Sequence, residues 1–143
     1  MLSLDTARRL KESGLVWQPA EHDYFFIPYA GLDEKLFAIS DMSALVEPMG
    51  DEQAITFNGT VEWALDHLVV TEAIWVPREE QLRDLLEARL VQRGEDQPVL
   101  TLATTSDGYT CVIRFGGQTR PFNAFVAGEA YASALLFVME NAL

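Results

Sequence analysis

The chain has 143 residues, 49% of them hydrophobic, and its 22 Asp/Glu outnumber 10 Lys/Arg for a formal net charge of −12. That length fits one domain, or two small units sharing a core, and the apolar fraction supplies the core without disulfide or metal support. With no cluster of Lys or Arg to neutralise phosphates, nucleic acid and anionic membrane are disfavoured as partners, and a basic protein partner or a need for solubility accounts for the acidity.

The first residues, MLSLDTARRLKESG, make a charged amphipathic segment with no apolar signal-peptide stretch behind it, which predicts a cytoplasmic protein. Residues 4–13 are expected to be helical: Ser3 is a good N-cap, Leu4, Ala7, Leu10 and Lys11 share a face, and Gly14 is a stop signal. Short strand-like runs follow at 24–27, 36–39 and 44–46, each closed by turn residues, with Pro48 marking the end of the third. The run 55–57 meets Asn58-Gly59, a strong hairpin signal, so residues 60–65 are read as a returning strand. The rival reading is a helix over 60–68 capped by Thr60.

Residues 73–76 read as another strand, ended by Pro77. A central helix over 78–90 then carries Glu79 and Glu80 in its first turn, where negative charge suits the helix dipole, and Leu82, Leu85, Leu86 and Leu90 as its stripe. After a loop at 94–98, runs 99–104 and 109–115 form a hairpin around Ser106-Asp107-Gly108. Gly116-Gly117 turns the chain into a strand over about 118–126, and a last helix covers 129–141. The expectation is an α+β fold of mostly antiparallel sheet with an N-terminal, a central and a C-terminal helix. It is a single domain over 1–143, with possible sub-units 1–77 and 78–143 sharing a core. The first of these carries 4 Lys/Arg against 13 Asp/Glu and the second 6 against 9.

Residues with chemical potential are scattered. Two histidines and one cysteine, with no HExxH or CxxC, give no metal-binding pattern, and Asp66-His67 on a strand would point to opposite faces. Glu21-His22-Asp23, Asp33-Glu34 and Asp51-Glu52 read as solvated turn residues. No GxSxG elbow, Walker lysine or GxGxxG is present, so no catalytic residue, metal or cofactor is expected. Tyr109, Cys111, Ile113 and Phe115 alternate with Thr110, Val112 and Arg114 along one strand, which puts the thiol on the apolar face, the setting of an inert core thiol. Trp17, Trp63 and Trp75 each lie in or beside a strand-like run, which favours core packing over a stacking platform.

The stretch FNGTVEWALDHLVVTEAIWVPREEQL, with Trp17-Gln18-Pro19, residues 23–28 and Ser40-Asp41-Met42, resembles a family of small uncharacterised bacterial proteins. Members of that family often carry the label of a pilus-assembly protein, CpaE. The resemblance runs to about residue 90 and is loose beyond it. It implies a small bacterial protein and supplies no catalytic residues.

These readings converge on a non-enzymatic binding or adaptor module acting through protein–protein contacts. The last helix has no charged residue between Ala130 and Met139. It is too short to span a bilayer, which needs about 20 residues. Tyr131, Ala134, Leu135 and Val138 form the stripe that a sheet would bury, and Leu136, Phe137 and Met139 extend the apolar surface beyond it. Either the rest of the chain covers that second face, or it is a partner or self-association surface, with a homodimer as the expected form. The alternative function is a small enzyme or ligand-binding domain built on Trp63 and Trp75 with Asp66 or His67.

Overall fold

A computed structural model of the protein describes residues 1–29, 31–40, 44–57 and 67–141. In chain order its elements are α1 (Leu4–Glu12), β1 (Tyr24–Phe26), β2 (Leu36–Ala38), β3 (Ala44–Met49), β4 (Glu52–Phe57), β5 (His67–Val69), β6 (Ile74–Val76), α2 (Glu79–Gln92), β7 (Leu100–Thr105), β8 (Gly108–Phe115), β9 (Gln118–Ala124) and α3 (Ala127–Glu140). The fold is α+β. Among the described residues the strands form three separate antiparallel sheets, ordered β2-β1-β6, β3-β4-β5 and β7-β8-β9.

The chain divides into two compact units, one made of Met1–Gly14 with Pro77–Leu143, the other of Leu15–Val76. The sequence suggested a possible break after residue 77; the unit boundary lies after Val76. Helix α1, however, belongs with the C-terminal residues, so the second unit is an insertion between α1 and α2.

In the discontinuous unit, α1 starts where Ser3 Oγ accepts the Thr6 N–H at 3.1 Å. Its N-terminus is then tied to α3 by one side chain. Glu129 accepts the Ser3 N–H at 2.9 Å through Oε1 and the Thr6 hydroxyl at 2.8 Å through Oε2. A carboxylate suits this position because the first N–H groups of a helix have no partner within it. Helix α2 opens with the Arg78 N–H donating to Gln81 Oε1 at 2.8 Å, and it buries Leu82, Leu86 and Leu90 at helical spacing.

The β7-β8-β9 sheet is a meander with two-residue turns. Thr105 pairs with Gly108 around Ser106-Asp107, and Phe115 with Gln118 around Gly116-Gly117. Both glycines have positive φ, 63° and 75°, as a type I′ hairpin turn requires. Gly108 has φ 140°, and a Cβ there would run into the carbonyl oxygen of Ala124 on the neighbouring strand.

Helix α3 packs against β8, β9, α2 and α1. Its all-round apolar surface is explained by that position: Ala130, Tyr131, Ala134, Leu135, Leu136 and Val138 are all buried. Cys111 and Ile113 of β8 are fully buried, as their alternation predicts, while Thr110, Val112 and Arg114 fall on the opposite face of the sheet.

In the Leu15–Val76 unit the core is Phe25, Ile27, Ile39, Ala44, Ile55, Leu68, Val70 and Ala73. Strand β1 lies between β2 and β6, with Phe25 opposite both Phe37 and Trp75. Strand β3 runs on through Pro48 to Met49, three residues further than the sequence suggested. Pro48 is tolerated because β3 is an edge strand, where a missing N–H breaks no ladder. The β3–β4 turn is Gly50-Asp51, with φ 63° at the glycine. The Asn58-Gly59 turn, the strand over 60–65 and most of the rival helix over 60–68 lie outside the described residues; at positions 67 and 68, where that helix would end, the chain is strand β5. Among those described, β4 pairs with β5, Thr56 facing His67 and Ile55 facing Leu68.

Candidate functional site

Of the residues considered for a ligand site, Trp63 and Asp66 lie outside the described residues, and His67 is placed only as the first residue of β5. Trp75 sits in the middle of β6, half-buried, its ring stacked on Trp17 with centroids 6.5 Å apart and an interplanar angle of 12°. Trp17 lies 5.5 Å from Phe25, Phe25 lies 5.6 Å from Phe37, and Phe37 meets Phe57 edge-on at 6.3 Å. These five aromatic side chains thus form a continuous row through the unit, a packing role with one ring from each of β1, β2, β4 and β6 and Trp17 from the segment before β1. The Trp75 indole N–H is buried without an acceptor.

Asp23 departs from its expected place. The sequence pattern groups it with Glu21 and His22 as solvated, yet it is 2% exposed and is the single buried charged residue among those described. Its Oδ2 accepts the Trp17 indole N–H and the Ala20 backbone N–H, each at 3.0 Å. These bonds satisfy the buried carboxylate and pin the Trp17–Ala20 segment over β1. Glu21 and His22 are exposed, their side chains 3.9 Å apart. Sequence could have flagged Asp23 only through its position: it directly precedes a strand and falls in phase with buried Phe25 and Ile27.

Tyr29 donates its hydroxyl hydrogen bond to Glu72, tying the segment after β1 to the turn at Val70–Glu72. That bond to a carboxylate is the main cause raising the Tyr29 pKa above 10.0. Burial pushes the Cys111 thiol up to about 11, which removes it from nucleophilic duty near neutral pH. Among the described residues no group of three or more His, Cys, Asp or Glu is placed to hold a metal ion. No helix among them is long and apolar enough to cross a membrane.

The α3 residues considered as an interface are largely engaged within the protomer. Leu136 is 4% exposed. Phe137 is half-buried and packs on the sheet, its ring 5.0 Å from Phe115 and 5.5 Å from Phe122, with the Arg120 guanidinium 5.0 Å from its centroid. Met139 is also half-buried.

Two other surfaces were not singled out by the sequence. The first is the sheet face opposite α3, where Thr101, Val112, Arg114 and Thr119 line a cavity of about 440 Å³ together with Asp96, Gln97 and Pro98. The second is the junction of β9 and α3, where Phe125 is 87% and Val126 42% exposed beside a cavity of about 480 Å³ lined by Thr105, Asp107, Tyr109, Asn123 and Ala124. Phe125 stands out because a phenylalanine so exposed gains nothing from folding.

Charge is divided as unevenly as structure. Residues 15–76 hold 11 Asp/Glu and a single basic residue, Lys35, whereas the remainder of the chain holds 11 Asp/Glu and nine Arg/Lys. Glu47, Asp51 and Glu52 gather at the β3–β4 hairpin, all exposed.

No family model, curated protein or solved structure matches the chain.

Proposed function

We propose that the protein is a non-enzymatic binding or adaptor module of the cytoplasm that acts through protein–protein contacts, and that its principal partner presents a basic segment. The observation supporting this is the charge partition: 11 acidic residues and one lysine within a unit of its own, beside a second unit close to balance. Solubility alone asks only for net charge and gives no reason to concentrate it in one unit. A one-sign field steers oppositely charged partners and raises their association rate, an effect that falls with salt.

The test is binding of a lysine- and arginine-rich peptide to the intact protein at low and at physiological salt. Affinity should fall about tenfold or more when Glu47, Asp51 and Glu52 are all changed to lysine, a loss of about 1.4 kcal/mol. Glu87→Lys, an exposed reversal on α2, should leave it unchanged. No binding, or equal weakening by both variants, would overturn the reading.

Self-association is a second reading, favoured by Phe125. An exposed aromatic next to a cavity on the same molecule gives a knob and a hole that two copies can exchange about a twofold axis. Sedimentation of the wild type should then give a dimer at high micromolar concentration, and Phe125→Glu a folded monomer. A monomeric wild type sinks this reading.

A further inference from the structure

We infer that the open face of the β7-β8-β9 sheet holds a binding site for a small organic monocarboxylate, anchored by Arg114. This site is independent of the acidic unit and of the partner proposed for it.

Arg114 differs from other arginines of the chain in what it lacks. The other arginines with partners have them nearby: Arg78 Nε donates to Glu80 at 2.7 Å, Arg83 lies 3.5 Å from Asp84, and Arg93 sits 4.2 Å above the Phe115 ring. Among the described residues none accepts from the Arg114 Nε, which is buried. A guanidinium stays charged at any physiological pH and has five N–H donors, so leaving it partly buried and unpaired is costly. In a chain with 22 carboxylates the missing acceptor is not a matter of supply. It is a matter of placement: the sheet face around Arg114 is threonine and valine, and Asp96 and Gln97 in the cavity wall leave its Nε without an acceptor.

The surroundings are built to receive an acceptor from outside. Thr119 is the direct cross-strand partner of Arg114, and Thr101, paired with Val112, is its diagonal neighbour on the other side. All four side chains share the face that α3 does not cover, because Cys111 and Ile113 take the other. The far wall is held in place by Glu95, whose carboxylate accepts the Gly116 N–H at 2.6 Å and the Gly117 N–H at 3.3 Å. Those bonds fasten the Asp96-Gln97-Pro98 segment beside the β8–β9 turn, and the half-open cavity of about 440 Å³ is in the size range of small-molecule sites.

The ligand class follows from the lining. A guanidinium fork with hydroxyl donors at its side matches a planar carboxylate. Pro98 and Val112 offer apolar surface to the body that carries it. Asp96 in the wall and the net charge of −12 weigh against a dianion such as a phosphate ester.

The experiment is a titration of the intact, ¹⁵N-labelled protein with benzoate, with its neutral isostere benzamide and with inorganic phosphate, following the Arg114 Nε–H and Thr119 amide signals. Benzoate should give a saturable shift of both signals with Kd of about 1–10 mM, the range for a ligand of this size. Benzamide and phosphate should bind at least about tenfold more weakly. Arg114→Gln should weaken benzoate to the same degree with the rest of the amide spectrum unchanged, and Arg114→Lys should also weaken it, since a point charge cannot reproduce the fork. Should Arg114→Gln unfold, Thr119→Val gives the same reading from an exposed position. The assignment is overturned by an absent or unsaturable benzoate shift, by equal binding of benzamide or phosphate, or by undiminished binding in the folded variants.

Discussion

The two units solve the problem of a small core in different ways. The discontinuous unit buries one long element: α3, apolar on nearly every side, packs against β8, β9, α2 and α1, and most of its residues are buried. Burial of each leucine or valine of this kind is worth about 1.5–3 kcal/mol, so one helix supplies much of the stabilisation. The inserted unit has no such element among its described residues. Its strands are three to six residues long, and its small core of Phe25 and seven aliphatic residues is flanked by a row of half-buried rings and by a buried carboxylate that accepts two N–H bonds. It also carries the repulsion of 11 acidic residues against one lysine. The contrast teaches that continuous apolar burial leaves the first unit a spare sheet face, whereas the second relies on specific directional contacts while bearing the charge.

Each unit brings its own reporter. All three tryptophans lie in Leu15–Val76, and the single cysteine lies in the other unit. Tryptophan fluorescence therefore follows one unit and Cys111 labelling the other.

The two units should respond most differently to Gly108→Ala and Gly50→Ala. At Gly108 a Cβ meets the backbone of Ala124 and Phe125, which cannot move without opening β8 from β9. We expect a loss of about 3 kcal/mol, read as rapid Cys111 labelling with unchanged tryptophan emission. At Gly50, φ is 63° but nothing lies within 4 Å, so strain alone should cost about 1 kcal/mol and fall on the tryptophan signal. Equal effects on both signals would mean that the units melt as one.

Next in size is Asp23→Ala. It leaves the Trp17 indole N–H and the Ala20 N–H without their acceptor, with an expected loss of about 2 kcal/mol confined to the tryptophan transition. A red-shifted emission should accompany it as Trp17 loosens. An unchanged urea midpoint would show that Asp23 contributes nothing net.

The smallest effect sharpens the comparison through pH. The folded Cys111 thiol titrates at about 11, above the ordinary value, because burial disfavours the thiolate. The unfolded thiol titrates near ~8.5, so this stabilisation is complete below that value and is lost as pH rises toward 11. At about pH 9 the loss should be about 1 kcal/mol, on the labelling transition and not on the tryptophan one. Labelling of the native protein as fast as a free thiol at neutral pH would place Cys111 at the surface instead.

Local signals in the sequence located most elements. Ser3 and Gly14 bracket α1, the leucine spacing marks α2, and Gly116-Gly117 marks the β8–β9 turn, because caps and turns are decided by neighbours in the chain. What depends on distant residues was hidden. Pro48 looks like a terminator until β3 is known to be an edge, and Gly50-Asp51 is then recognisable as a two-residue hairpin turn. Asp23 looks solvated until Trp17 is seen to donate to it. The breadth of apolar surface on α3 was legible, but not what covers it, since α1 comes from the opposite end of the chain. Of the sites now proposed, Arg114 was visible only as an outward-facing residue of its strand; its missing acceptor and the cavity in front of it need the third dimension.

The bonds from Glu129 to Ser3 and Thr6 span sequence separations of 126 and 123 residues. On a ribosome adding about 5–20 residues per second, α1 therefore waits roughly 6–25 seconds for the residue that holds its N-terminus. The inserted segment has every one of its own residues synthesised well before then. Folding order is thus expected to run from the middle of the chain outward, with the first helix made being among the last to dock.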